Sequence, residues 1–328
     1  MTVPTPSLTT LQSHMLAEDA RTPGSNGALS WIVSALSISA KAIAAKLKHA
    51  RLEDVLGDVG TENVQGERQQ KLDVIANEVL KQVLRGRQGV AVIGSEEDDE
   101  LSFTDTVSFG QSRFAVLFDP LDGSSNLDVG GGVGTIFSIY AIDGDTPYEL
   151  SSGTSQVAAG YVLYSSSTIF VLTTGAGVHM FVLDTNIGAF IRVAQHLQIP
   201  SFGKIYSVNE ANAGSFPAGY QRFLRQCHER GFSSRYSGAM VADVHRVLLK
   251  GGVFMYPPTA AAPSGKLRLM YECNPLAMVI AQAGGKAVSG TGEVMDVVPS
   301  ELHQRVPVAL GSPENIDDLL AALRDTPA

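Results

Sequence analysis

Two acidic clusters stand out by where they fall. Gly94-Ser95-Glu96-Glu97-Asp98 follows an apolar run at 90–93, and Asp119-Pro120-Leu121-Asp122-Gly123-Ser124-Ser125-Asn126 follows another at 114–118. Short apolar runs that end in Gly or Asp read as buried strands. In open α/β sheets the carboxyl ends of neighbouring strands converge on a crevice where ligands bind. Carboxylates crowded there repel one another, and a hard divalent cation with oxygen ligands, Mg²⁺ or Mn²⁺, relieves that repulsion. Pro120 stiffens the second segment, Gly123 permits a tight turn, and the amides of Ser124 and Ser125 could then face an anion. With two cations roughly 4 Å apart, the attacking and leaving oxygens of a phosphoryl transfer are both stabilised. Taken alone, the first cluster also reads as a solvated acidic loop and the second as an ordinary turn. Their pairing at two strand ends is what favours a metal site.

Other catalytic schemes lack their residues. No Lys is followed by Ser or Thr, which excludes a P-loop, and neither G-x-G-x-x-G, H-E-x-x-H nor the G-x-S-x-G elbow occurs. Neither Cys227 nor Cys273 precedes an Arg at thiol-phosphatase spacing, and Leu121 stands where an aspartyl-phosphate enzyme carries a second Asp. No covalent phosphoenzyme is expected. The 328 residues hold 24 Lys and Arg against 33 Asp and Glu, a net charge of −9, so a nucleic-acid partner is not expected. Two cysteines make neither a disulfide scaffold nor a four-thiolate zinc site. With no basic, then apolar, leader pattern at the start, the expected location is the cytoplasm.

Positioning such clusters takes strands flanked by helices. Residues 1–27 are rich in Thr, Pro, Ser and Gly and read as a tail leading to Ser25 or Asn26 as a helix N-cap. Leu29, Ile32, Val33, Leu36, Ala40, Ile43 and Leu47 then recur at helical spacing, as do Leu72, Ile75, Ala76, Val79, Leu80, Val83 and Leu84. Strands are predicted at 90–93, 114–118 and 135–142, with hairpins over 161–173 and 178–193. The stretch 150–183 has no charged side chain and is long enough to span a bilayer, yet its Ser, Thr and Gly breaks suit paired strands better. A polar segment at 195–203 is the expected boundary between units 1–196 and 197–328. Beyond it come a strand at 204–208, helices near 220–227 and 239–249, and strands at 253–256 and 266–271. A helix opened by Pro275 and closed by Gly284-Gly285 follows, and a last one carries Ile316, Leu319, Leu320 and Leu323.

The order Asp73, Glu96-Glu97, Asp119-Pro-Leu-Asp122-Gly-Ser-Ser, then Glu272 ahead of Gly284-Gly285, resembles the lithium-sensitive, Mg²⁺-dependent sugar and inositol phosphatases. Within that group the chain is much more similar to class I fructose-1,6-bisphosphatase. The segments that carry this are 63–77 (NVQGERQQKLDVIAN), 118–128 (FDPLDGSSNLD), 134–140 (GTIFSIY), 235–246 (RYSGAMVADVHR), 251–257 (GGVFMYP) and 265–275 (GKLRLMYECNP). The resemblance implies a layered α/β/α/β/α fold with mixed sheets, a metal-binding phosphatase domain at 1–196 and a substrate-binding domain at 197–328. It implies hydrolysis of the 1-phosphate of fructose 1,6-bisphosphate by water, with more than one Mg²⁺ or Mn²⁺ per subunit. Glu96, Glu97, Asp119, Asp122 and Glu272 are then metal ligands, helped by the Leu121 carbonyl, and Glu67 replaces a family Asp on a mobile loop. Asp73 and Glu97 deprotonate the attacking water. Asp122, Gly123, Ser124 and Ser125 face the phosphoryl group. The far phosphate falls to Asn209, Tyr236, Tyr256 and Lys266, with Arg235 reaching in from a neighbouring subunit of a homo-oligomer, by resemblance a tetramer.

Departures from the family pattern set the alternatives. Asn212 stands where the family has a phosphate-binding Tyr, which keeps sedoheptulose 1,7-bisphosphate in view as a substrate. An inositol monophosphatase would not need the second-phosphate grip, and a non-catalytic sugar-phosphate-binding protein would not need Asp73 and Glu97. At the positions where regulated members bind AMP, this chain has Asn26, Ala28, Arg113-Phe114 and Ala141, so weak or absent AMP inhibition is expected.

Overall fold

A computed structural model of the chain describes residues 8–21, 26–53, 56–62, 68–104, 112–143 and 148–324. Ser25 and Glu67, the alternative cap and the loop ligand, lie outside them. The N-terminal segment is more ordered than its composition suggests, because Leu11–Arg21 forms helix α1. Its buried residues are Leu11, His14 and Met15, an apolar stripe too short to register as a period. Helix α2, Ala28–His49, takes Gly27 at φ +81° as its N-cap, one residue after the expected Asn26, whose Oδ1 still accepts the Ala28 amide at 3.1 Å. By length and composition α2 could cross a membrane, but half of its apolar window is buried inside the protein.

Strands β1, Asp58–Glu62, and β2, Arg68–Gln70, form a small ribbon ahead of α3, Lys71–Arg85. Eight further strands follow: β3 Val90–Ser95, β4 Ser102–Phe103, β5 Arg113–Asp122, β6 Val133–Ile142, β7 Gln156–Tyr164, β8 Thr168–Thr173, β9 Val178–Asp184 and β10 Ala189–Ala194. They make one sheet in the order β10-β9-β8-β7-β6-β5-β3-β4. Neighbours are antiparallel except β3 and β5, which run parallel with Gly94 beside Leu117 and Ser95 beside Phe118. The two acidic clusters therefore start side by side, Glu96 donating its amide to the Phe118 carbonyl at 3.0 Å. The uncharged stretch 150–183 supplies β7, β8 and most of β9.

The second half contributes β11 Ile205–Ser207, α4 Ala218–Glu229, β12 Ser233–Ser234, α5 Met240–Lys250, β13 Val253–Tyr256 and β14 Leu267–Arg268. It continues with α6 Asn274–Gln282, β15 Lys286–Ser289, β16 Gly292–Glu293, β17 Arg305–Val306, β18 Val308–Gly311 and α7 Pro313–Arg324. Six of these strands form a mixed sheet, β12-β11-β13-β18-β15-β16, while β14 pairs with β17 apart from it. The strand expected over 266–271 stops at Arg268, because Leu269–Cys273 turns as a π-helix into α6. Leu269, Met270 and Tyr271 are all buried, and a fully buried apolar run carries no periodicity to tell strand from helix.

Side-chain alternation sorts the core into layers. Ile32, Val33 and Leu36 of α2 and Leu72, Ala76 and Leu80 of α3 pack on Val116, Phe118, Phe137, Val162 and Phe170 of the first sheet. Its opposite face, with Ile136, Tyr161, Leu163 and Val171, meets Val241, Val244 and Leu248 of α5, Leu276 and Ile280 of α6, and then Phe254 and Leu310 of the second sheet. Beyond that sheet, Tyr206, Val253 and Met255 meet Phe223 of α4 and Ile316 and Leu319 of α7. The order is α/β/α/β/α, and both sheets are covered on both faces, which is why their strands read as continuous apolar runs.

Candidate active site

Regular pleating would send Asp119 and Asp122, three residues apart, to opposite faces of β5. The ladder with β6 prevents this: Asp119 pairs with Ile136 but Asp122 with Gly134, so the strand carries an irregularity at Pro120-Leu121. Three steps on β5 match two on β6, and the extra residue restores both carboxylates to one side. Both sit within the strand, where a following loop is what the sequence suggests. The Thr135 hydroxyl holds the Pro120 carbonyl at 2.9 Å, and Asp119 Oδ1 accepts the Leu121 amide at 2.9 Å.

The next residue lets a second element close in. Gly123 has φ +77°, and a Cβ there would lie 2.3 Å from that of Ala239. This close approach brings the start of α5 to β5, where Asp122 Oδ2 accepts the Val241 amide at 2.7 Å and Oδ1 that of Met240 at 3.3 Å. A carboxylate at a helix N-terminus is favoured by the exposed N–H groups and the dipole. Asp243, one turn into α5, accepts the Ser237 amide with both carboxylate oxygens. The Ser237 carbonyl in turn accepts Asn126 Nδ2 at 3.1 Å, which staples the 3-10 turn Ser124–Val129 to the same loop.

Glu96 leaves the end of β3, and Glu272 comes from the π-helical turn, where its Oε2 accepts the Arg268 amide at 2.6 Å. One oxygen each from Glu96, Asp119 and Glu272 lies within 4.8 Å of the others. Against these carboxylates stands the Arg268 guanidinium, 2.5 Å from Glu96 Oε1. Glu96 Oε2 is buried with no hydrogen-bond partner among the described residues. Burial pushes Glu96 and Asp119 well above the usual carboxylate range, and the neighbouring carboxylates, Glu272 for the first and Glu96 for the second, push further. Asp122 is pushed up to about 7, by burial and then by Glu272, while the Val241 and Met240 amides pull the other way. Buried oxygen donors with more negative charge than Arg268 balances are what a hard divalent cation fits.

These groups line a cleft of about 550 Å³. Asp73, Glu97, Leu121, Gly123, Ser124 and Ser125 line the same cleft, and Asn209, Tyr236, Tyr256 and Lys266 line it too. Asp73 also caps α3, its Oδ2 accepting the Gln70 amide at 2.9 Å in a reciprocal capping box. Arg235 is not on the cleft wall: its Nη1 donates to the Ser234 carbonyl at 2.7 Å. The side chain that sequence reasoning missed is Arg268. Its signal was its place four residues before Glu272, one turn away, which becomes visible only once that segment is known to be helical.

A layered α/β enzyme with a buried carboxylate centre is the class that this architecture defines. The family model for the fructose-1,6-bisphosphatase N-terminal domain matches residues 9–195, and that for the C-terminal domain matches 199–324. The chain belongs to the fructose-1,6-bisphosphatase family. Among solved structures it is similar to Leishmania major fructose-1,6-bisphosphatase in holo form, with 38% identity, TM-score 0.91, and coverage of 98% of this chain and 100% of that one. The apo form of the same protein gives 36% identity and a TM-score of 0.86, and the T-state 37% and 0.86, each covering 98% of this chain and 100% of that one.

Proposed function

We propose that this chain is a phosphoric monoester hydrolase that removes the 1-phosphate of fructose 1,6-bisphosphate, releasing fructose 6-phosphate and inorganic phosphate. The observation that carries this reading is one cleft lined both by carboxylates and by an amide, two phenols and an ammonium. A sugar carrying two phosphates has use for both sets.

Glu96, Asp119 and Glu272, with Asp122, Glu97 and the Leu121 carbonyl, would hold more than one divalent ion, Mg²⁺ or Mn²⁺. Such ions supply positive charge to the phosphoryl oxygens and acidify the attacking water. Asp73 and Glu97 take the proton from that water. The amides of Ser124 and Ser125 open the 3-10 turn, where backbone N–H groups have no intrahelical acceptor, and they donate to the phosphoryl oxygens. Asn209, Tyr236 and Tyr256 donate to the 6-phosphate, and Lys266 pairs with it as a point charge. Arg235 joins them across a subunit interface in a homotetramer. The enzyme works in the cytoplasm, in gluconeogenesis or carbon fixation, which share this hydrolysis.

The test is phosphate release from fructose 1,6-bisphosphate with and without Mg²⁺, with sedoheptulose 1,7-bisphosphate and inositol 1-phosphate in parallel. Metal-dependent preference for the fructose substrate is expected. Activity confined to the seven-carbon sugar would move the specificity to Asn212.

A further inference from the structure

Asn209 lies two residues beyond strand β11 and caps a 3-10 turn, Glu210–Ser215, none of whose residues is buried. Apolar packing reaches the turn only through Ala213 and its buried C-cap Phe216, at the end away from Asn209. Near Asn209 the tether is polar. Tyr206 on β11 is only 4% exposed, and its hydroxyl donates to Glu210 Oε1 at 2.5 Å. The same hydroxyl lies 3.1 Å from Nε2 of His228 on α4, and that nitrogen lies 3.3 Å from Glu210 Oε2. One carboxylate thus joins strand, turn and helix. Asn209 spends its Oδ1 on the Ala211 amide at 3.2 Å, which leaves its Nδ2 to donate to a ligand.

We propose that Glu210 is a positioning residue for the distal phosphate, held by Tyr206 and His228 so that the turn carrying Asn209 and Asn212 stays at the cleft. Glu210 touches no substrate in this reading; it fixes the backbone from which Asn209 reaches. Burial first, and the bond to Glu210 next, push the Tyr206 phenol up to about 12, so it remains a donor at working pH. The clamp rests on the substrate reading given above.

The experiment is steady-state kinetics of Glu210→Ala and Tyr206→Phe on fructose 1,6-bisphosphate and on fructose 1-phosphate, which lacks the distal group. Losing a hydrogen bond to a charged group should raise KM for the bisphosphate by about tenfold while kcat stays within about twofold. The rise should be at least about fivefold smaller for fructose 1-phosphate. Tyr206→Phe removes one hydroxyl and serves if the alanine variant misfolds. An active wild type with unchanged KM in both variants would overturn the clamp, as would equal losses on the two substrates, the mark of general structural damage. A wild type inactive on the bisphosphate would instead overturn the substrate reading, and the clamp with it.

Discussion

At the carboxylate end, the functional side chains are fixed by backbone: Asp122 takes two amides of α5, Asp119 that of Leu121 and Glu272 that of Arg268. Among the groups assigned to the distal phosphate, Tyr236 is 39% exposed, and Asn209 caps a short turn held by its own backbone bonds and by the Tyr206–Glu210 tether. The difference follows the work each end does. Charge that develops during phosphoryl transfer is stabilised best by groups that need no reorganisation, and bulged strands and helix ends supply them. A distal phosphate needs recognition, where a softer wall costs affinity rather than turnover.

That contrast breaks if variants at the two ends behave alike. Asp122→Asn should lower kcat by about a thousandfold or more at saturating Mg²⁺. Because Asn has one acceptor where Asp122 offers two, its melting temperature should also fall by a few degrees, about 1 kcal/mol of lost hydrogen bonding. A kcat within about tenfold of wild type would remove Asp122 from the centre. Lys266→Ala should raise KM about tenfold with kcat within about threefold; a fall in kcat alone would place Lys266 with the chemistry.

Two further measurements sharpen the comparison. The folded pKa of Asp122, about 7, lies above its ordinary value of 3.8. Stability from such a group is present below the ordinary value and lost as pH rises through the folded one. In chelator the melting temperature should therefore fall between pH 5 and pH 8, and Mg²⁺ should stabilise more at pH 8, by a few degrees. A Mg²⁺ shift that shrinks with rising pH would contradict the charge surplus. The smallest effect expected is that of AMP. Phe114 faces Ala141 across the β5–β6 pair, and Asn26 spends its amide on Ser112, so phosphate release should be unchanged by AMP; inhibition at low micromolar AMP would show a nucleotide site.

Much of this was legible in the sequence because strand ends announce themselves. Glu96 and Asp119 follow short apolar runs whose length and Gly or Asp ends read as buried strands, and parallel pairing of β3 and β5 puts them together. The bulge at Pro120-Leu121 was not legible, since Asp-Pro-Leu-Asp looks the same in a turn and in a strand with one residue too many. Arg268 was hidden by its neighbours: Leu267 and Leu269 made it the polar member of a strand, and its tie to Glu272 exists only in helical geometry. Helix α1 was missed because three buried residues cannot outvote a tail rich in Thr, Pro and Ser.

The two family models meet between residues 195 and 199, but the core does not divide there. Helices α5 and α6, from the second half, cover Ile136, Tyr161 and Val171 of the first sheet while also covering Phe254 and Leu310 of the second. A chain cut at the junction would leave a whole sheet face wet and prone to aggregate. Neither half is therefore expected to fold on its own, and the enzyme should melt in one transition although it is written as two modules.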